Sequence, residues 1–154
     1  MEPRPAPEWL TTEWFNTPEA LCLERLRGQV VVLHAFQMLC PGCVAYGIPQ
    51  AQRVAEIFKS APLTVIGLHT VFEHHEAMTP VALRAFAHEY RLDVPIGIDA
   101  HEAGAGLPVT MRRYGMRGTP TLLLIDRRGD LRLHAFGMVD DMALGAMIAS
   151  LIAG

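Results

Sequence analysis

The segment Cys40-Pro41-Gly42-Cys43 is the feature that most constrains the fold of this chain. It follows closely on VVVLHAF at residues 30–36, a β-branched apolar run typical of a strand buried on both faces. After the second cysteine, apolar residues recur at alternating steps of four and three, which predicts an amphipathic helix. These residues are Val44, Ile48, Ala51, Ala55 and Phe58. A strand, a CxxC motif and a helix therefore follow one another directly.

Two cysteines separated by two residues at the start of a helix hold their sulfurs on one turn, close enough to form a disulfide reversibly. Unpaired backbone amides and the positive end of the helix dipole would favour the thiolate of Cys40. Pro41 suits the first helical position, where its missing N–H costs nothing. We therefore expect Cys40 to attack a substrate disulfide and Cys43 to resolve the mixed disulfide.

Two other interpretations of the cysteine pair stay open. The pair could be half of a zinc site, although a structural site usually needs four protein ligands and Cys22 is the only other cysteine. The two cysteines could also be inert buried residues. Three cysteines do not make a secreted disulfide framework, and two of them form one CxxC, so reactivity is the preferred explanation.

The composition of the chain limits which partners and which cellular location we expect for it. A chain of 154 residues that is 51% hydrophobic can bury a full core, so we expect a single domain over residues 1–154, with residues 1–27 as an N-terminal extension. The net charge of −3 is spread along the chain, which argues against nucleic acid or a membrane surface as a partner. The start, MEPRPAPEW, lacks the apolar run of a signal peptide, and no stretch is long enough to span a bilayer. The prediction is a cytoplasmic protein.

The remaining pattern alternates strands with helices. A short hairpin and one helical turn are expected between Trp9 and Arg27. Further strands are predicted at residues 63–68, 94–98, 121–125 and 131–136, and helices at 79–90, at 109–114 and from Asp140 or Asp141 to Gly154. Their sum is an α/β sheet closed by an antiparallel hairpin.

Three features together resemble the thioredoxin superfamily, and more narrowly its TlpA-like and redoxin (AhpC-TSA-like) branch. They are the run VVVLHAFQMLCPGC, the segment Gly118-Thr119-Pro120-Thr121 before a buried strand, and the closing hairpin and helix. The resemblance covers nearly everything from Val30 to Gly154. It implies a thioredoxin-like α/β fold, with a central mixed sheet flanked by helices and a helix–strand insertion over residues 79–98, after the second core strand.

The resemblance also implies a function and a set of site residues. The function is that of a thiol-disulfide oxidoreductase without a cofactor, which exchanges with protein or small-molecule disulfides and with an upstream reductant or oxidant. We expect a bacterial-type cytoplasmic reductant. In that family the proline at the place of Pro120 is cis and stands opposite the cysteines, whereas a trans proline that merely begins a strand is the alternative. A cis bond would present the backbone of Thr119 to a substrate peptide, beside Leu39, Pro41 and Gly42.

This chain departs from typical thioredoxins around its cysteines. Leu39 and Gln37 stand where thioredoxins usually carry tryptophan, so the surface is less aromatic. His34 stands where thioredoxin carries a buried acid that accepts a proton. His34 could play that part for Cys43, or it could be a core histidine hydrogen-bonded to the backbone. His69, at the end of its predicted strand, could line the site, as could Gln37.

Two further segments carry expectations. Pro49 lies one residue further from the second cysteine than the helix proline of typical thioredoxins, and Gly47 precedes it, which predicts a kink or bulge. Residues 69–76, HTVFEHHE, collect three histidines and two acids, but they lack a regular ligand spacing, and we expect no metal there.

Two competing functions stay open. The first is a thiol peroxidase of the redoxin type, but peroxiredoxins carry threonine three residues before the reactive cysteine, where this chain has Gln37. The second is a metallochaperone or redox sensor that binds a metal through Cys40, Cys43 and a histidine such as His69.

Overall fold

Seven strands form one mixed sheet in the computed structural model, which describes residues 1–104 and 106–154. In chain order the strands are β1 (Arg4–Pro5), β2 (Thr11–Phe15), β3 (Val30–Phe36), β4 (Leu63–His69), β5 (Ile96–Asp99), β6 (Thr121–Ile125) and β7 (Asp130–Phe136). Their order across the sheet is β1-β7-β6-β3-β4-β5-β2. Strands β3, β4 and β5 are parallel to one another, whereas β6 is antiparallel to β3.

Four α-helices cover the two faces of the sheet: α1 (Ile48–Ile57), α2 (Pro80–Glu89), α3 (Val109–Tyr114) and α4 (Asp141–Ala153). Helices α1, α2 and α4 contribute to the apolar core on one face, whereas α3 and the N-terminal segment pack on the other. Thr79 caps α2 and Asp140 caps α4, each accepting a hydrogen bond from a backbone amide three residues on. None of the described helices is long and apolar enough to span a membrane.

Strand β3 lies in the middle of the sheet. All seven of its side chains are buried, six of them apolar and one a histidine. Backbone pairing on both sides with β4 and β6 satisfies its N–H and C=O groups. The strand ends at Phe36, at the edge of the sheet where the CxxC segment begins. The predicted thioredoxin-like α/β fold is confirmed, including the insertion, which is α2 followed by β5.

The hairpin predicted between Trp9 and Arg27 is wrong. Strand β2 pairs with β5, and the earlier β1 pairs with β7, so the N-terminal extension reaches both edges of the sheet. A short 3-10 turn at Glu24–Leu26 accounts for the predicted helical turn. The extension is held by long-range contacts, because Trp9 lies buried against the sheet and Tyr114 donates a hydrogen bond to the Pro7 carbonyl.

A buried carboxylate ties together the strand ends near the site. The two oxygens of Asp99 accept hydrogen bonds from the Thr70 hydroxyl and from the backbone amides of Thr110 and Met111. These bonds join the end of β5 to the residue after β4 and to the start of α3. The segment that carries His69 is thereby held in one position, because Thr70 follows it directly.

Candidate active site

Cys40 and Cys43 lie where β3 passes into the helix. Helical residues begin at Pro41, and the Cys40 carbonyl accepts a hydrogen bond from the Val44 amide. Both cysteines are free thiols. The Cys43 amide donates to the Cys40 sulfur over 3.3 Å, so the two residues share one turn. Cys40 is half-buried and Cys43 is fully buried, which leaves Cys40 as the sulfur that a substrate can reach.

The buried thiol of Cys43 is held in its protonated form. Burial is the largest of the effects that together raise its pKa to about 12, and the hydrogen bond with Cys40 also raises it, whereas hydrogen bonds with the Gln37 backbone and with Thr119 oppose the shift. At neutral pH the Cys43 thiol is therefore a poor nucleophile until a base removes its proton. A proton acceptor on the buried side of the pair would overcome that barrier.

Pro120 stands against the CxxC turn, and the Thr119–Pro120 peptide bond is cis, as predicted. The Thr119 carbonyl accepts a hydrogen bond from the Cys40 thiol over 3.5 Å. A Cβ on Gly42 would lie 3.3 Å from Pro120 Cδ, and one on Gly47 would lie 3.2 Å from Pro120 Cβ. Both glycines thus let the proline pack closely on the start of the helix.

The other predicted site residues divide into exposed and buried ones. Leu39 and Pro41 are exposed beside Cys40, as a substrate surface requires. Gln37 is buried, and its side-chain oxygen accepts a hydrogen bond from the Phe72 amide over 3.1 Å. That contact links the loop after β3 to the loop after β4. Gln37 therefore supports the cysteine segment from beneath and does not face a substrate.

His34 is a buried histidine with no hydrogen bond among the described residues. It is 4% exposed, and neither ring nitrogen has a partner there. Its ring stacks on Phe36 with 5.3 Å between the ring centroids, and Phe36 belongs to the same apolar cluster as Cys43. The alternative of a histidine hydrogen-bonded to the backbone is wrong. Burial lowers the pKa of His34 to about 4, so the ring is neutral at pH 7 and keeps a free lone pair.

His69 lies at the end of β4, directly under the cysteine segment. Its Nε2 accepts a hydrogen bond from the Met38 amide over 3.3 Å, and its ring packs on Phe36. Burial lowers the pKa of His69 to about 4. Since Nε2 is occupied by an N–H donor two residues before Cys40, His69 holds the backbone that leads to the reactive turn.

We expect the free energy of unfolding to fall as the pH is lowered from about 6.5 towards 4. The unfolded chain protonates both histidines near pH 6.5, whereas the folded chain resists protonation until about pH 4. Protonation of each of the two histidines, His34 and His69, should lower the free energy of unfolding by about 3 kcal/mol across that pH window. Urea unfolding followed by tryptophan fluorescence at pH 7.5, 6 and 5 measures the loss. A stability that stays constant between pH 7.5 and 5 would contradict it.

Gly67 makes room for the buried rings. It pairs with His34 across β3 and β4, and a Cβ there would lie 3.0 Å from His34 Nε2 and 3.2 Å from Phe36 Cε1. We expect Gly67→Ala to lower the free energy of unfolding by about 1–3 kcal/mol, because the rings must shift. Gly145→Ala on α4 is the matched control, since a Cβ there meets no atom within 4 Å. It should stabilise the helix by up to about 1 kcal/mol. Equal unfolding midpoints for the two variants would contradict the steric argument.

The histidine-rich segment after β4 does not come together with the cysteines. His74 and His75 are exposed, and the His75 ring packs against His101, with 5.7 Å between the centroids. Within residues 1–104 and 106–154, no group of three or more histidine, cysteine or acidic side chains is placed to hold a metal ion. The segment contacts the residues that lead to the reactive turn at two places, through the His69 ring at Met38 and through the Phe72 amide at Gln37.

Sequence reasoning missed three residues that shape the site: Gly67, Tyr46 and Met138. A glycine inside the predicted strand at 63–68 was a usable signal, because a glycine there often marks a close approach. Tyr46 and Met138 line a groove beside Pro120 that no sequence pattern indicated. The predicted kink was found, since residues Cys43–Gly47 form a π-helical turn before α1.

Known proteins with similar sequences include redox proteins. The AhpC/TSA family matches residues 5–134. The thiol-disulfide oxidoreductase ResA of Halalkalibacterium halodurans is 29% identical over 126 residues, which make up 80% of this chain and 64% of ResA. A chloroplastic protein of Arabidopsis thaliana, SUPPRESSOR OF QUENCHING 1, is 23% identical over 88% of this chain but only 12% of its own length. The chain thus spans less than two thirds of these curated relatives.

Solved structures match along nearly the whole chain. A crystal structure of a thioredoxin-like superfamily protein is 56% identical and superposes with a TM-score of 0.94, covering 97% of both chains. A thiol-disulfide isomerase from Corynebacterium glutamicum is 46% identical, with a TM-score of 0.90 and the same coverage. The mixed sheet and its helices thus form a fold that this chain shares with a thiol-disulfide isomerase.

Proposed function

The chain belongs to the AhpC/TSA family, and on that premise we propose that it is a thiol-disulfide oxidoreductase in which Cys40 and Cys43 interconvert between dithiol and disulfide. The observation that carries the proposal is the pairing of an accessible sulfur with a buried one on a single helical turn. The Cys43 amide, 3.3 Å from the Cys40 sulfur, supports that pairing. The names of ResA and of the Corynebacterium isomerase support the same class of reaction.

In the first step, the Cys40 thiolate attacks one sulfur of a substrate disulfide. The substrate S–S bond breaks, a mixed disulfide with Cys40 forms, and the other substrate sulfur leaves as a thiolate. The Cys43 N–H and the start of the helix support this role, because both place positive charge next to the Cys40 sulfur. The Thr119 carbonyl beside Cys40, with Leu39 and Pro41 on the surface, would contact the substrate.

In the second step, Cys43 loses its proton and attacks the sulfur of Cys40. The mixed disulfide breaks, the second substrate thiolate leaves, and the Cys40–Cys43 disulfide remains. Two electrons have passed from the enzyme to the substrate, and an upstream dithiol must return them before the next turnover. A reversed flow, with an oxidant upstream, uses the same bonds in the opposite order.

His34 is the group that we assign to the proton of Cys43. Its ring is neutral at pH 7, carries no hydrogen bond among the described residues, and lies on the same face of the sheet as the cluster that holds Cys43. Its pKa of about 4 makes His34 a weak base, so it would take the proton in concert with the attack, because the S–H of Cys43 becomes acidic as its sulfur bonds to Cys40. His69 is a positioning residue in this scheme, because its contact is with the Met38 backbone.

The substrate class is a disulfide, in a protein or a small molecule, and the partner is a dithiol or disulfide protein upstream. The predicted cytoplasmic location stays a prediction. The reduction potential is the measurement that fixes the direction of flow, because a reductant lies below the potential of the glutathione pool around it and an oxidant lies above it.

Oxidation of the Cys22→Ser variant tests the reactive pair. We expect equilibration with a glutathione buffer to remove two alkylatable thiols per chain in a single two-electron transition, with the disulfide in the peptide that contains Cys40 and Cys43. Alkylation followed by mass spectrometry counts the thiols. The wild type should retain one thiol, that of Cys22. Two free cysteines in the fully oxidised variant, or turnover of insulin at the uncatalysed rate, would refute the proposed function.

A further inference from the structure

Helix α4 is apolar nearly all the way round. Among its 13 residues, Asp141 at the start is the only charged one and Ser150 is the only other polar one. Leu144 and Ile148 are buried, and the rest of the helix is half-buried or exposed. A surface helix normally carries polar residues on its outer side, whereas a helix that is apolar on every side is normally buried. We therefore expect a partner to cover the outer side of α4.

The outer side of α4, called the α4 face below, is a continuous exposed strip at helical spacing. Its members are Met142, Ala143, Ala146, Ala149, Ser150 and Ala153. Met142 is 85% exposed. Ile57, at the end of α1, is 72% exposed and lines a cleft together with Leu144 and Gly145 of α4. The end of α1 thus extends the α4 face, and exposed apolar side chains that lie together mark an interaction surface.

The start of the α4 face is negatively charged. Asp140 and Asp141 are both exposed there. The Arg53 guanidinium pairs with Asp141 over 3.0 Å and so balances one of the two carboxylates. The Asp140 carboxylate accepts a hydrogen bond from the Ala143 amide, which is an uncharged group. Among these groups, one negative charge is therefore in excess.

The other end of the α4 face is positively charged. Arg127 and Arg128 are exposed, and both line a cleft beside the last turn of α4. Arg127 donates a hydrogen bond to the Ile152 carbonyl over 3.3 Å, which keeps its guanidinium at the end of the helix. The third arginine of the cleft, Arg132, is paired with Asp126. The excess charge at this end therefore comes from Arg127 and Arg128.

We propose that the α4 face is the interface of a homodimer, in which two copies of this chain pair their α4 helices antiparallel about a twofold axis. With the axis at the middle of the helix, Ala146 of each copy lies opposite Ala149 of the other. Met142 then lies opposite the small side chain of Ala153, so the two helices can approach closely. The negative start of each helix meets the positive end of the other. This inference does not depend on the proposed function.

The chemistry of the α4 face favours a second copy over a lipid surface. Helices that lie in a membrane interface carry lysine or arginine on their polar side and tryptophan, phenylalanine or leucine on the other. The α4 face has neither kind of residue, since alanine makes up most of it. Its start is negative, and a negative group is repelled by anionic lipids. A copy of the same face offers the small side chains and the opposite charges that it needs.

The size of the face determines how tightly the two copies should bind. At 1.5 Å per residue, α4 is about 20 Å long. Stable dimers bury about 800 Å² per partner, and the whole chain has a surface of 8081 Å². One helix and the end of a second helix reach only the lower part of the range for dimers. We therefore expect a dimer that dissociates at low micromolar concentration.

Sedimentation velocity of the whole protein over a range of micromolar concentrations tests the proposal. The cysteines are kept reduced, so that an intermolecular disulfide cannot imitate the dimer. We expect the mass to rise from 17.0 kDa towards twice that value as the concentration increases. Ala146→Glu should raise the dissociation constant by more than about 100-fold, because it buries a carboxylate without a partner at the interface.

A second substitution tests the antiparallel register. Ala149→Lys alone should weaken the dimer, whereas the double variant Ala146→Glu, Ala149→Lys should bring the dissociation constant back to within about tenfold of the wild type. In the double variant each glutamate faces a lysine of the other copy. Ala85→Glu is the matched control, because Ala85 is also an exposed helical alanine but lies on α2, and this variant should dimerise like the wild type. Circular dichroism checks that each variant is folded.

Three outcomes would overturn the proposal. The first is a wild type that stays at 17.0 kDa at every concentration. If that monomer sediments with vesicles of phosphatidylcholine and phosphatidylglycerol, the α4 face is a lipid-binding surface instead. The second is a dimer that Ala146→Glu leaves intact, because its interface must lie elsewhere. The third is a double variant that stays monomeric, which would exclude the antiparallel pairing.

Discussion

Replacing Cys40 with serine is expected to lower the rate of insulin reduction, with dithiothreitol as the electron donor, by more than about 1,000-fold. A serine hydroxyl is not ionised at neutral pH and cannot form the mixed disulfide. The fold should survive the change, because Cys40 is only half-buried and its contacts are the long ones to Thr119 and to the Cys43 amide. The loss is therefore chemical and not a loss of structure.

Replacing Cys43 with serine is expected to stop the reaction at a different point. Cys40 can still attack, so one substrate molecule per chain should be captured as a mixed disulfide that no internal thiol releases. Non-reducing electrophoresis and mass spectrometry of the trapped species measure this and identify the substrate. The Cys22→Ser variant should turn over like the wild type. If Cys40→Ser retains turnover, or if Cys43→Ser traps nothing, the assigned order of attack is wrong.

Replacing His34 with leucine is expected to slow the second step while leaving the protein at least as stable. General bases contribute about 100- to 10,000-fold to a proton transfer, so release of the mixed disulfide should slow by about 1,000-fold at pH 7. The imidazole has no hydrogen bond to lose among the described residues, so an apolar side chain of similar size removes buried polar atoms at no matching cost. Stopped-flow measurement of product release and urea unfolding follow the two effects separately.

The pH profile distinguishes a proton acceptor from a merely structural histidine. In the His34→Leu variant, the release rate should rise about tenfold per pH unit, because hydroxide must now remove the proton from a thiol whose pKa is about 12. In the wild type the rate should be flat from about pH 5 to 8, since His34 stays neutral above about pH 4. Attack by Cys40 should change little. A flat profile in the variant, or release at the wild-type rate, would remove His34 from the mechanism.

Much of the fold could be predicted because the informative signals are local. The run at 30–36 is apolar apart from His34, which predicts a strand covered on both faces, and the predicted strands and helices that follow lie within a few residues of the observed ones. The prediction of a hairpin in the N-terminal extension was wrong for the opposite reason. Its strands β1 and β2 pair with partners more than 80 residues away, and local periodicity carries no record of a distant partner.

The same distinction between local and distant signals applies to the residues of the candidate site. Cys40, Cys43, Pro41 and Pro120 were predictable, because a CxxC at the start of a helix and a proline before a buried strand are patterns in adjacent residues. The environment of His34 was not, since whether a buried ring finds a hydrogen bond depends on neighbours from other strands. Gly67, which lies against that ring, belongs to β4 and meets His34 only through the parallel pairing.

The sequence by itself determined the cysteine pair, its place between a strand and a helix, and the class of fold, because each depends on residues within a few positions of one another. Only the tertiary structure decided which sulfur is accessible, why the thiol of Cys43 keeps its proton, and that a groove lined by Tyr46 and Met138 adjoins Pro120. Those properties arise from burial and from contacts between distant segments. Burial and distant contacts are settled by the packing of the whole sheet and not by any single stretch of it.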